Sequence, residues 1–265
     1  MSRISAMFER LRTEGHTGLI AYTTTGFPSV EATAPIVSAL IDGGADAVEL
    51  SLPFSDPLAD GATVQRSTFA ALERGVTPPD VLKVTRTLRD QGVETPLIVM
   101  GYVNPMYAYG LDRFAADAAA AGIDGIICVD LPPEEAEPIL AAFRPQGIDL
   151  IFMLAPTSTD ARVARVAELA SGFIYCVSVT GTTGMRDSVS EELPAFIARV
   201  RRHTDLPLAV GFGISRPEHV AQIGQLCEAA IIGSAIIDTI ERAEPGLEAE
   251  RVRTYVEVVT GRQRV

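Results

Sequence analysis

Two carboxylates stand eleven positions apart in the first quarter of the chain, Glu49 and Asp60. Glu49 interrupts an apolar run, Val48-Glu49-Leu50. A carboxylate between apolar neighbours loses hydration, which raises its pKa. That suits a group that must both give and take a proton near neutral pH. Read from the strand alone, Glu49 is equally well a buried carboxylate held by a neighbouring donor. Asp60 falls in a loop rich in proline and glycine, Pro53-Phe54-Ser55-Asp56-Pro57-Leu58-Ala59-Asp60-Gly61. Loop carboxylates are ordinarily solvated or cap a helix. Set over one mouth, the two would make an acid–base pair.

A second chemistry is written in glycines late in the chain. Gly181-Thr182-Thr183-Gly184, Gly211-Phe212-Gly213-Ile214-Ser215 and Gly233-Ser234 each follow an apolar run. Glycine lets backbone approach a ligand closely, and helix N-termini point N–H groups at anions. Each pair alone could be no more than a tight turn. Two pairs after consecutive late strands, with a third glycine-rich loop, point to a phosphate.

Other reactive types lack a pattern. His16, His203 and His219 fall outside the strand ends and show no HxH or HExxH spacing, so no catalytic zinc is expected. The one lysine, Lys83, lies in a helical stretch, 79–90, and is expected in solvent, which disfavours a Schiff base on this chain. No GxGxxG follows the first strand. Cys128, Cys176 and Cys227 are isolated in apolar settings, as expected for reduced, buried thiols in a cytoplasmic protein.

The elements that must position these residues repeat. Eight apolar runs read as strands: 19–22, 47–50, 97–100, 125–129, 150–154, 173–178, 208–210 and 229–232. They do not alternate, which suits parallel strands covered on both faces. Amphipathic stretches lie between them, including 31–41, 113–121, 160–170 and 192–202, with Ser29, Ser158 and Ser190 as candidate caps. Ile4, Met7, Phe8 and Leu11 form one face of an additional first helix, ended by Gly15. Pro78-Pro79 and Pro132-Pro133 read as loop punctuation. About eight strands with about eight following helices predict a single (β/α)8 barrel over 1–265, with an extra N-terminal helix; an open doubly wound sheet is the rival. Gly44-Ala45-Asp46-Ala47 and Gly122-Ile123-Asp124-Gly125, each leading into a strand, form a weak internal echo. In such a barrel chemistry sits at the C-terminal strand ends, and phosphate commonly binds after strands 7 and 8.

Charge narrows the partners. With 22 basic and 34 acidic residues the net charge is −12, against broad binding to nucleic acid. No apolar run reaches the roughly 18 residues of a membrane span, and the charged N-terminus is no signal peptide.

Together these motifs resemble one family, the alpha chains of tryptophan synthase. The 53–61 signature carries most of the likeness. It is joined by Tyr102-Val103-Asn104-Pro105, Gly181–Gly184, Gly211–Ser215 and Gly233-Ser234-Ala235-Ile236. The resemblance implies cleavage of indole-3-glycerol phosphate to indole and glyceraldehyde 3-phosphate. It implies no cofactor on this chain, with pyridoxal phosphate on a beta chain partner in an alpha2-beta2 tetramer. It implies that Glu49 is the general acid–base and that Asp60 stabilises charge at the indole nitrogen. Tyr22, Met100, Tyr102, Ile127, Val129, Met153, Tyr175, Thr183 and Phe212 are then expected around the substrate, although a plain barrel core accounts for some of the apolar ones. Gly184, Gly213, Gly233 and Ser234 are expected at the phosphate. Ser51, where the family usually has glycine, Ala62, where it usually has proline, and Met185 depart from the common pattern. A stand-alone lyase releasing free indole, a weakly catalytic subunit that activates a beta chain, and another phosphate-binding barrel remain as alternatives.

Overall fold

The computed structural model describes residues 1–178, 192–211 and 213–261. Eight parallel strands, β1 (Gly18–Thr23), β2 (Ala47–Ser51), β3 (Leu97–Gly101), β4 (Gly125–Cys128), β5 (Asp149–Leu154), β6 (Ile174–Val177), β7 (Leu208–Gly211) and β8 (Ala229–Ile232), pair in chain order and close on themselves. The predicted strands match these within one or two residues at each end. The architecture is a (β/α)8 barrel, not an open sheet.

Twelve α-helices are present among the described residues, more than one per strand: α1 (Arg3–Glu14), α2 (Val30–Gly43), α3 (Ala62–Glu73), α4 (Pro78–Asp90), α5 (Val103–Tyr109), α6 (Leu111–Ala121), α7 (Glu137–Phe143), α8 (Asp160–Leu169), α9 (Leu193–Arg201), α10 (Pro217–Gly224), α11 (Ser234–Arg242) and α12 (Glu248–Thr260). The surplus arises where a turn splits a connection. Gly75, at φ +78°, stands between α3 and α4, and Gly110, at φ +96°, between α5 and α6. Pro78-Pro79 does not merely punctuate a loop. It opens α4, where proline costs no hydrogen bond, beside a Thr77–Asp80 capping box. Gly15 ends α1 in the left-handed region, and Ser29 caps α2, both as expected. Ser158 does not cap α8: its hydroxyl accepts from the N–H of Ala155, and Thr159 takes the cap. Ser190 lies outside the described residues.

The core has two layers. One fills the space between strands and surrounding helices. The other fills the barrel, where Ile20, Ile98, Ile127, Ile151 and Phe173 meet Ile4, Met7, Phe8 and Leu11 from α1, so the extra helix plugs the floor. The polar edge of this floor repeats every second strand. Asp46 accepts from the N–H of Leu19 (3.0 Å), Asp124 from Leu97 (2.8 Å), Ser171 from Leu150 (2.9 Å) and Glu228 from Leu208 (2.8 Å). The echo between 44–47 and 122–125 is thus two instances of one device. The three carboxylates are also paired to arginines: Arg10 with Asp46, Arg3 and Arg89 with Asp124, and Arg201 with Glu228.

Candidate active site

At the opposite end β2 delivers Glu49, flanked in register by Tyr22 of β1 and Ile98 of β3. The Glu49 side chain is fully buried, and neither carboxyl oxygen has a hydrogen-bond partner among the described residues. No neighbour compensates for the lost hydration, and burial alone pushes its pKa up to about 8. Glu49 is therefore protonated at neutral pH, and the expected rise is present.

Asp60 sits in the turn between β2 and α3. Burial lifts its pKa to about 6, partly opposed by a hydrogen bond from Tyr102. The Tyr102 hydroxyl donates to Asp60 Oδ2 at 3.2 Å and accepts from the N–H of Ala59 at 2.9 Å. At neutral pH Asp60 is thus mostly charged while Glu49 is mostly neutral. Two carboxyl groups with divided protonation face one pocket of about 200 Å³ at the C-terminal strand ends.

The pocket wall has an apolar side, with Tyr22, Met100, Val64, Ile214 and Ile231, and a small-residue side, with Gly213, Gly233, Ser234 and Ala235. Gly213 has φ +77°, which non-glycine residues adopt only under strain. Gly233 precedes α11, whose first turn has no side-chain cap, leaving its leading N–H groups for an anion. Tyr175 of β6 lies deep in the wall, and burial, then the nearby Glu49 and Asp60, push its phenol upward. The Tyr175 hydroxyl lies 2.1 Å from where a Cβ on Gly211 would stand. Gly211 is therefore required by the packing of Tyr175, not by close approach to a phosphate.

The profile of the tryptophan synthase alpha chain family matches residues 8–264. The chain belongs to that family. The tryptophan synthase alpha chain of Roseiflexus castenholzii is 51% identical over 261 residues, covering 98% of this chain and all of the relative. That of Chloroflexus aggregans is 47% identical over 266 residues, covering all of both. Among solved structures, tryptophan synthase subunit alpha from Legionella pneumophila superposes with a TM-score of 0.91 at 35% identity, covering 98% of each chain. A Mycobacterium tuberculosis tryptophan synthase chain superposes with a TM-score of 0.91 at 37% identity, covering 100% of this chain and 99% of that one.

Of the residues expected from the tryptophan synthase alpha chain pattern, the pocket brings together Glu49, Asp60, Tyr22, Met100, Tyr175, Gly213, Gly233 and Ser234. Tyr102 and Val129 line a small adjoining cavity that shares Tyr22, Asp60 and Met100. Ile127 and Met153 do not line the pocket. Ile127 is fully buried in the inner layer, and half-buried Met153 packs against it. Thr183, Gly184 and Phe212, with Met185, lie outside the described residues. Ser51 is buried beside the small cavity, and Ala62 opens α3. Sequence reasoning did not single out Gly61, Thr63, Val64, Ser215 or Asp238, which also line the pocket. Thr63 and Val64 follow Asp60 by one helical turn, a signal that was readable. Asp238 faces inward through the geometry of α11, a turn beyond Ser234, with Arg66 3.6 Å away.

Lys83 and His203 are exposed, and buried His219 accepts the N–H of Ser215 at 3.3 Å. All three cysteines are buried and free. Among the described residues no cluster of three metal-ligating side chains exists, and no helix is long and apolar enough to cross a membrane.

Proposed function

We propose that Glu49 and Asp60 are the proton-transfer and charge-stabilising groups with which this chain cleaves indole-3-glycerol phosphate to indole and glyceraldehyde 3-phosphate, the alpha reaction of tryptophan biosynthesis. The observation that carries this assignment is the pair of carboxyls in opposite protonation states on one pocket, at about 8 and about 6. Neutral Glu49 donates its proton to indole C3. Positive charge develops at the ring nitrogen, where ionised Asp60 stabilises it electrostatically. The bond from C3 to the glycerol carbon breaks, its electron pair returning to the ring. The hydroxyl on that carbon becomes the aldehyde and returns its proton to Glu49, which ends as it began.

The phosphate is assigned to Gly213, Gly233 and Ser234, supported by the uncapped first turn of α11, together with Gly184. Tyr22, Met100 and Tyr175 wall the indole, and Tyr102 reaches it through Asp60. No step of this scheme calls for a cofactor on this chain. The chain is a lyase-type enzyme subunit; its class is that of the carbon-oxygen lyases to which tryptophan synthase is assigned. Its partner is a beta chain that carries pyridoxal phosphate and consumes the indole, in an alpha2-beta2 assembly in the cytoplasm. Residues 1–265 act as one domain.

The test is direct. The pure chain is incubated with indole-3-glycerol phosphate and indole is assayed, with and without a beta chain whose binding is verified separately. Slow cleavage that accelerates on complex formation is expected. Equal rates favour a stand-alone lyase, and no indole in either arm refutes the assignment.

A further inference from the structure

The turn that carries Asp60 has little to hold it. Ser55, Asp56, Leu58 and Ala59 are exposed, Leu58 to 87%. Its internal bonds run from the N–H of Leu58 to the Asp56 carbonyl (2.9 Å) and from that of Asp60 to the Pro57 carbonyl (3.1 Å). The helix that follows is no anchor through its cap. The cap residue of α3 is Gly61, with no side chain to bind the turn to the helix.

Gln65 supplies the missing link from inside α3. Its Nε2 donates to the carbonyl of Pro57 at 3.2 Å and to that of Asp60 at 2.9 Å. The two acceptors bracket the turn, so one amide group spends both of its hydrogens closing it. Gln65 is half-buried and is not part of the pocket wall. It can reach the reaction only through Asp60. Tyr102 fixes the carboxylate end and the N–H of Ala59, whereas Gln65 fixes the main chain on either side.

We propose that Gln65 is a positioning residue for the cleavage, whose carboxamide clamps the 57–60 turn and so keeps the Asp60 carboxylate in its desolvated place beside Tyr102. This rests on the charge-stabilising role assigned to Asp60. The side-chain type follows from the acceptors. Two carbonyls need a donor group, which glutamine offers and an ionised glutamate of the same shape does not. Opening the clamp admits water to Asp60. Its pKa then falls from about 6 towards the ordinary value of 3.8, because burial is what raised it.

The experiment uses the full chain carrying Gln65→Leu, Gln65→Glu or Gln65→Lys. Carboxyl titration of Asp60 is followed by NMR with carbon-13 aspartate, the resonance being assigned with Asp60→Asn, alongside steady-state cleavage. For the leucine and glutamate variants kcat should fall about ten- to hundredfold, the scale of an ångström-sized misplacement. KM should stay within about threefold, since Gln65 touches no substrate. In Gln65→Leu the Asp60 titration, and the acid limb of the kcat profile, should move to lower pH; in Gln65→Glu the added carboxylate opposes that move. Lysine, which keeps a donor at similar reach, should recover most of kcat, while its positive charge keeps the Asp60 titration low. An Asp60 titration and kcat unchanged in Gln65→Leu would overturn the clamp. So would equal loss in all three variants with the titration unmoved, the mark of a merely structural role. If Asp60→Asn itself cleaves at the parent rate, the reading of Asp60 fails, and the titration alone then decides the clamp: a shift upholds it and no shift overturns it.

Discussion

Asp46 and Glu49 are three residues apart, one just before β2 and one within it, and both are buried carboxyls. Asp46 accepts the N–H of Leu19 and pairs with Arg10 at 2.5 Å. Glu49 has nothing. The same contrast separates the floor from the mouth throughout. Burial pushes Asp124 upward too, but the N–H of Leu97, Arg89 and Arg3 pull against it. Among the described residues Asp60 has only the hydroxyl of Tyr102. Carboxyls on the floor are fully partnered and fix strand ends. Those at the mouth are left wanting a proton or a positive charge, which the substrate can supply. A buried polar group without a partner costs stability and is retained where it serves a reaction.

The strongest test of the contrast is Glu49→Gln. The amide preserves shape but shuttles no proton, so kcat should fall by about 10²–10⁴, while circular dichroism stays that of the parent. Unchanged turnover would remove Glu49 from the chemistry. Asp124→Ala should do the reverse. It takes the carboxylate from the Arg89 guanidinium, only 11% exposed, and the acceptor from the N–H of Leu97, while the carbonyls of Gly122, Val93 and Thr95 still hold Arg89; the cost should be about 3 kcal/mol of stability, read by denaturant unfolding. Activity per folded molecule should not change, and a loss there would show that floor and mouth are coupled. Asp60→Asn should lower kcat by about 10²–10³, as for loss of one electrostatic stabiliser. Binding of a substrate analogue, measured by calorimetry, should fall much less; equal losses would make Asp60 a general binding residue.

The mouth should also show itself in the pH dependence of stability. Glu49 titrates at about 8 when folded, against 4.5 as an ordinary glutamate. The folded chain therefore holds a proton that the unfolded chain releases. That stabilisation is complete below about pH 4.5 and is lost as pH rises through 8. Glu49→Gln escapes the loss. Its Tm should lie close to the parent's near pH 4.5 and clearly exceed it at pH 8, where the shift from 4.5 to about 8 corresponds to about 4 kcal/mol. A constant difference across that range would mean that Glu49 is already ionised in its pocket.

The barrel was readable because strands covered on both faces become unbroken apolar runs, such as Leu97–Met100 and Ala229–Ile232. The floor echo was readable in part: Asp46 and Asp124 share a motif, whereas Ser171 and Glu228 do the same work with other side chains and could not be matched by letter. At the mouth, Glu49 and the glycine pairs announced themselves by being out of place. Ile127 and Met153 show the limit. Alternation along a strand tells which side chains point into the barrel, not at what height, and these two sit outside the pocket wall. Gln65 was invisible because its acceptors are main-chain carbonyls, which every residue has. Gly211 stands in the same glycine pair as Gly213 for a different reason, since its missing Cβ is needed by Tyr175 across the strand pair.

The anchoring of α1 has a consequence in time. Its Arg10 holds Asp46, its Arg3 holds Asp124, and Ser2 beside it donates to Asp149 at 2.9 Å. On the ribosome α1 thus waits for a partner 147 residues behind Ser2. At about 5–20 residues per second that delay is on the order of ten seconds. Throughout it Ile4, Met7, Phe8 and Leu11 have no barrel to enter, and contacts this distant in sequence are the slow ones to form. The nascent chain therefore carries an unburied apolar stripe on α1 at least until its fifth strand has emerged, and the floor is complete only when β8 closes on β1. That stripe is where a chaperone would find it, and the docking of α1 is the step that ends the exposure.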